Sequence, residues 1–233
     1  MSTPADLVLI PGLLCTAELY APQLRALSAV TSAKVADHTT AASMGDMAAS
    51  ILAAAPARFA LCGLSMGGYI AFEIMRQAPE RVTKLALLDT SAKPDTPERS
   101  ATRRVMLARA ETEGLGAVST ALLPQWVHPR RLGDVGLTAT VARMAAHTGV
   151  THFARQLSAI IGRPDSRPGL AAIRVPALVL VGREDAATPV ADAEEIARGI
   201  PGSTLAIIED SGHLTPLEQP EAVTRALLHW LGA

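Results

Sequence analysis

Six short apolar runs, each leading into a longer stretch of helical periodicity, constrain the fold of this chain more than any other feature. The runs are 6–10 (DLVLI), 33–36 (AKVA), 58–62 (RFALC), 84–88 (KLALL), 176–181 (PALVLV) and 204–208 (TLAII). Apolar on both faces, they read as buried parallel strands. Between them the periodicity predicts helices over 18–29, 44–54, 66–77, 190–198 and 219–231, with glycine or proline at most junctions. A β-α-β rhythm of this kind implies an α/β fold, an open, mostly parallel sheet of about six strands with helices on both faces.

The rhythm breaks once. From about Thr90 to Ile173 no good strand is present, and the segment is helix-like and rich in arginine: Arg103, Arg104, Arg109, Arg130, Arg131, Arg143 and Arg155. Pro94, Pro97, Pro164 and Pro168 bracket it. The chain therefore divides into a core over 1–90 and 166–233 and a helical insertion over 91–165, either a cap over the sheet edge or a lateral subdomain.

Charge and cysteine usage exclude several partners. Lys and Arg total 21 against 22 Asp and Glu, with no long basic run, so neither nucleic acid nor an anionic membrane is implied. Cys15 and Cys62 are the two cysteines of the chain, which is no disulfide framework and no metal-ligand spacing. The first residues lack the charged start of a signal peptide, and no apolar stretch reaches the ~20 residues of a membrane span. The expected location is cytoplasmic.

The third run carries the chemistry. "RFALCGLSMGGYIAFEIM" (58–75) is a strand, a turn at Gly63-Leu64-Ser65-Met66-Gly67, and a helix. G-x-S-x-G in this setting is a nucleophile elbow. The serine sits at the tip of a strained turn, and side chains two residues to either side would collide with the neighbouring strand and helix. Its hydroxyl then stands at a helix N-terminus, where free N–H groups favour negative charge.

A serine hydroxyl needs a base, and a base needs an orienting acid. In this architecture the chain order is serine, acid, histidine. His213 alone among the six histidines follows the final strand in a glycine turn, "EDSGHLTP". The preceding strand ends in "VGREDAATP", where Asp185 is the better candidate acid and Glu184 lies beside it. Asp89, at the end of the run at 84–88, is the runner-up.

Taken together, these residues resemble the α/β-hydrolase superfamily, in its capped, esterase-like branch of pimeloyl-carrier-protein esterases, 3-oxoadipate enol-lactonases and carboxylesterases. The resemblance rests on Gly63 to Gly68, on "VGREDAATP", on "DSGHLTPLEQPEAV" and on the loop at Pro11-Gly12. Two departures stand out. Only five residues precede the first run, so the usual N-terminal strand hairpin should be missing. Pro11 stands where relatives often hold a histidine, which implies a different support for that loop.

The resemblance implies catalytic roles for Ser65, Asp185 and His213 and an oxyanion hole made by the backbone N–H groups of Leu13 and Met66. The unusually greasy turn Leu13-Leu14-Cys15 then becomes a pocket wall. Leu14, Trp126, His128, His152 and Phe153 are the candidate substrate contacts. The implied activity is ester hydrolysis through an acyl-enzyme on Ser65, with no metal and no organic cofactor. An enol-lactonase or C–C bond hydrolase using the same triad is the alternative, and a non-catalytic binding protein of the same fold is a third. The implied partner is a small-molecule ester or lactone, with no nucleic acid and no membrane, for a monomer or homodimer.

Overall fold

The computed structural model describes residues 5–232. Its strands are β1 (Ala5–Ile10), β2 (Thr31–Val35), β3 (Phe59–Leu64), β4 (Val82–Leu88), β5 (Ala177–Gly182) and β6 (Thr204–Ile208). They form one sheet in the order β2-β1-β3-β4-β5-β6, and every neighbouring pair is parallel. The interior strands β3 and β5 are buried at every residue, as all-apolar runs require.

The two rims differ from the expectation of strands buried on both faces. β2 is buried only at Thr31 and then alternates between exposed and half-buried residues, and β6 is exposed at Thr204 and half-buried over the next three residues. Each has a partner strand on one side only. β2 also starts earlier than the apolar run at 33–36, because its ladder to β1 pairs Ala5 with Thr31 and Asp6 with Ser32. Backbone pairing recruits those polar residues whatever their side chains.

The helices of the core are α1 (Ala21–Leu27), α2 (Met44–Ala54), α3 (Met66–Gln77), α7 (Val190–Gly199), α8 (Thr215–Glu218) and α9 (Pro220–Leu231). The single helix expected over 18–29 is a 3-10 turn at 17–20 followed by α1, and Pro22 in the first turn of α1 accounts for the break. α2 starts at a Ser43 N-cap, where the Asp46 N–H donates to Ser43 Oγ at 3.1 Å and Ser43 Oγ donates to the Asp46 carboxylate at 2.7 Å. Among the described residues no helix is long and apolar enough to cross a membrane.

Between β4 and β5 the chain forms α4 (Pro97–Glu113), α5 (Leu115–Trp126) and α6 (Val135–Ile161, broken at Gly149), with no strand among them. The ends of this insertion are stitched together. The Ser166 N–H donates to Ala92 O at 2.8 Å. Buried Asp95 accepts from Arg163 at 2.9 Å and from Arg103 at 3.0 Å, and Arg163 also donates to Lys93 O at 2.9 Å.

Strand order positions the site. The chain enters at β1 inside the sheet, steps outward to β2, then returns across β1 to β3. The loops leaving β1 and β3 therefore diverge from adjacent strands, and ligands of open α/β sheets bind at such a switch point. Four non-glycine residues among those described have positive φ: Leu14, Ser65, Asp89 and Asp210. Each follows a strand, after β1, β3, β4 and β6 in turn, so all lie at the carboxyl edge of the sheet. Strain collected at one edge marks it as the working face.

Candidate active site

Ser65 lies between β3 and α3 with φ 55° and ψ −114°, a conformation that costs a side-chain-bearing residue about 1–3 kcal/mol. The surroundings leave no alternative. A Cβ at Gly63 would lie 2.2 Å from Gly67 O, and one at Gly67 would lie 2.1 Å from Ile10 O. The turn thus folds tightly onto itself and onto the end of β1. Its exit is held by the Thr90 hydroxyl, which donates to Ser65 O at 2.8 Å. Ser65 caps α3 without a side-chain cap bond. The Met66 N–H and the Leu13 N–H find no acceptor among the described residues.

Asp185 follows β5 and is buried, and His213 follows β6 and is buried. His213 Nδ1 lies 2.7 Å from Asp185 Oδ2. That oxygen also accepts from the Thr188 hydroxyl at 2.8 Å, while Oδ1 accepts the N–H groups of Ala187 at 2.8 Å and Thr188 at 2.9 Å. The His213 loop is tied to the insertion, since the N–H groups of His213 and Leu214 both donate to Trp126 O, at 3.0 and 3.2 Å.

Ser65 and His213 line one cavity of about 250 Å³. Leu13, Cys15 and Tyr69 form part of its wall, and α4 and α5 contribute Arg99, Arg103 and Trp126. Burial pushes the Cys15 thiol up to about 12, so this side chain is a small apolar wall and not a nucleophile. The Arg163 guanidinium stacks over the Tyr69 ring, 4.3 Å from its centre.

A profile of the alpha/beta hydrolase family matches residues 6–226. The chain belongs to this family. Over 167 residues it is 28% identical to 3-oxoadipate enol-lactonase 2 of Acinetobacter baylyi, a match covering 71% of this chain and 61% of that enzyme, so the shared region spans less than two thirds of the relative. It is 29% identical to the pimeloyl-[acyl-carrier protein] methyl ester esterase of Aromatoleum aromaticum over 69% of each chain. A malate-bound thermophilic esterase from Thermogutta terrifontis superposes with a TM-score of 0.90 at 31% identity, covering 100% of this chain and 91% of that one.

This α/β hydrolase brings only some of the expected substrate contacts to the cavity. Trp126 lines it. His128 does not: it is buried, with its N–H donating to Glu218 at 2.7 Å and its Nδ1 accepting from the Arg130 N–H at 3.1 Å. His152 is turned back onto its own helix, with Nδ1 2.9 Å from Thr148 O. Phe153 is fully buried in packing, and Leu14 is 1% exposed behind the cavity wall. Asp89 does not touch His213 either. Its oxygens accept from the Gly182 N–H at 2.9 Å and from the Thr215 hydroxyl at 2.5 Å, joining β4, β5 and α8. Burial, with the Asp185 charge nearby, pushes the Asp89 carboxyl well above the usual carboxylate range.

Glu218 escaped sequence reasoning. Its buried carboxyl accepts the Gly212 N–H at 2.9 Å and the His128 N–H at 2.7 Å, fastening the histidine loop to the insertion. Burial raises its pKa, and those N–H groups oppose the rise. Gln156 and His38 were also missed as partners of the loop after β1. The Tyr20 hydroxyl, which donates to Ile10 O at 3.1 Å, adds a further support there.

Proposed function

We propose that this α/β hydrolase is a serine hydrolase that cleaves a carboxylic ester or lactone of small or medium size through an acyl-enzyme on Ser65. The observation that carries the reading is that Ser65, on a strained elbow, shares a cavity with a histidine held 2.7 Å from a buried, fully hydrogen-bonded aspartate.

In the proposed reaction Ser65 Oγ attacks the carbonyl carbon while His213 Nε2 takes the hydroxyl proton. Asp185 keeps the imidazole proton on Nδ1 and stabilises the imidazolium. The free N–H groups of Leu13 and Met66 receive the oxyanion, and in comparable enzymes one such donor is worth about 3 kcal/mol. Collapse expels the alkoxide, which takes its proton from His213. Water, activated by His213, then attacks the acyl-enzyme and releases the acid. Helices α4 to α6 act as the cap that sets substrate size.

Arg99 and Arg103 favour a second reading within the same chemistry. Both line the cavity, and Arg99 has no carboxylate partner among the described residues, donating instead to Ala187 O at 2.9 Å. A lactone carrying a carboxylate suits that wall, in keeping with the enol-lactonase relative. A panel of p-nitrophenyl esters of graded chain length beside neutral and carboxylated lactones tests the assignment. A burst of p-nitrophenol is expected from at least one ester, and absence of turnover on every ester and lactone would overturn it.

A further inference from the structure

Three segments far apart in sequence meet in a buried polar knot behind the loop at 11–15. Gln156 of α6 is 0% exposed, and His38, in the loop after β2, is 3% exposed. Gln156 Oε1 accepts the Leu14 N–H at 3.2 Å. Its Nε2 lies 3.1 Å from His38 Nε2, and that ring nitrogen lies 3.1 Å from Gly12 O. Gly12 O also accepts the Cys15 N–H at 3.1 Å, closing a turn with Leu14 at φ 57°.

The donors and acceptors assign the protons. An amide NH2 facing the Leu14 N–H would set donor against donor, so Gln156 presents its oxygen there and its NH2 to His38. His38 Nε2 then accepts from that NH2 and braces Gln156, the ring proton sits on Nδ1, and Gly12 O, facing an unprotonated ring nitrogen, takes its hydrogen bond from the Cys15 N–H. Burial lowers the pKa of this imidazole and keeps it neutral.

Peptide geometry links the knot to the cavity. In a trans peptide the C=O and N–H point in opposite directions. The Gly12 carbonyl points into the knot, so the Leu13 N–H of the same peptide points out of the other face, on the side of the cavity that Leu13 lines. The grip of Gln156 on the Leu14 N–H fixes the next peptide, and with it the positive φ that an L-residue otherwise avoids. Without that acceptor the Leu13–Leu14 peptide loses its anchor, and the turn that carries the Leu13 N–H loosens.

We propose that Gln156 and His38 are positioning residues that aim the Leu13 N–H at the substrate oxyanion, so that cap helix α6 helps set the rate and does not merely roof the pocket. The proposal rests on the serine-hydrolase reading. It also supplies the loop support that Pro11 cannot give.

The test uses Gln156→Met, Gln156→Glu and His38→Leu in the full chain, with p-nitrophenyl butyrate as substrate and phenylboronic acid as a tetrahedral mimic. Removing an oxyanion donor outright costs 10²–10³ in kcat, so a mis-aimed one is expected to cost about tenfold. Gln156→Met should lose about that factor in kcat, keep KM within about twofold, and bind the boronic acid about tenfold more weakly. Gln156→Glu keeps an acceptor for Leu14 and can take a proton from the other His38 tautomer, so it should recover to within about threefold of wild type. His38→Leu reads the same signature from the other side of the knot and decides the matter if Gln156→Met does not fold. Values within twofold of wild type for the apolar variants, or a Gln156→Glu protein as impaired as Gln156→Met, would overturn the proposal. Fluorophosphonate labelling of wild-type Ser65 runs alongside. If it fails, the hydrolase reading falls. If it succeeds while the variants are unaltered, only the positioning proposal falls.

Discussion

Replacing Asp185 by asparagine leaves the side chain the same shape but cannot leave the hydrogen bonds intact. Oδ1 of Asp185 receives two backbone N–H groups, from Ala187 and Thr188, so the amide oxygen of an asparagine must occupy that place. The NH2 then faces His213 Nδ1, where Oδ2 now lies at 2.7 Å. A donor there forces Nδ1 to accept and moves the imidazole proton to Nε2, the atom that has to take the serine proton. A tautomer error of this kind in a Ser-His-Asp site lowers kcat by about 10⁴-fold, or about 5 kcal/mol of transition-state stabilisation. The assay is steady-state hydrolysis of p-nitrophenyl butyrate at neutral pH, with Asp89→Asn measured in parallel. Asp89→Asn should stay within about tenfold of wild type, because its amide can accept from the Gly182 N–H and donate to the Thr215 hydroxyl. An Asp185→Asn protein that kept a tenth of wild-type kcat, or an Asp89→Asn protein that was the more severe of the two, would refute the reasoning.

The remaining predictions concern stability. Asp89 has a folded pKa above its unfolded value of 3.8, so the unfolded chain releases this proton first. Its contribution to stability is then fully present below pH 3.8 and is lost as pH rises above it. Urea midpoints between pH 4 and 7 should fall less steeply with pH in Asp89→Asn than in wild type, and equal slopes would contradict this. At the stem of the insertion, Asp95→Ala leaves buried Arg163 and half-buried Arg103 without their carboxylate. Breaking a buried pair in this way should cost about 3–5 kcal/mol, and a loss under about 1 kcal/mol in chemical denaturation would show that the stem does not depend on it.

The parts of this molecule legible in its sequence are those where one local steric demand selects a residue type. Gly63 and Gly67 could be read as an elbow because any Cβ there meets backbone at about 2 Å. Helices at 44–54 and 66–77 fall where periodicity put them, the first behind a Ser43 cap and the second behind the elbow turn. The order of strands and loops was enough to expect Asp185 beside His213. Of the rim strands, β6 falls on its apolar run at 204–208, but β2 was harder, because its start is set by ladder pairing and not by a run of apolar residues. Their place in the insertion marked Phe153, His128 and His152 as candidate substrate contacts, but place in the chain cannot separate packing against a neighbour from facing a cavity. Gln156, His38 and Glu218 left no local trace at all. Gln156 meets Leu14 across 142 residues of chain and His38 across 118, and Glu218 meets His128 across 90, distances over which no motif is written.

The central claim is that Ser65 is a nucleophile made reactive by His213. Incubation with a fluorophosphonate probe, followed by mass analysis of the intact protein and of its peptides, tests it most directly. The account predicts one adduct per chain, on the peptide containing Ser65, formed at a rate that falls steeply when His213 is replaced by alanine. No adduct, or an adduct elsewhere that persists in Ser65→Ala, would contradict it.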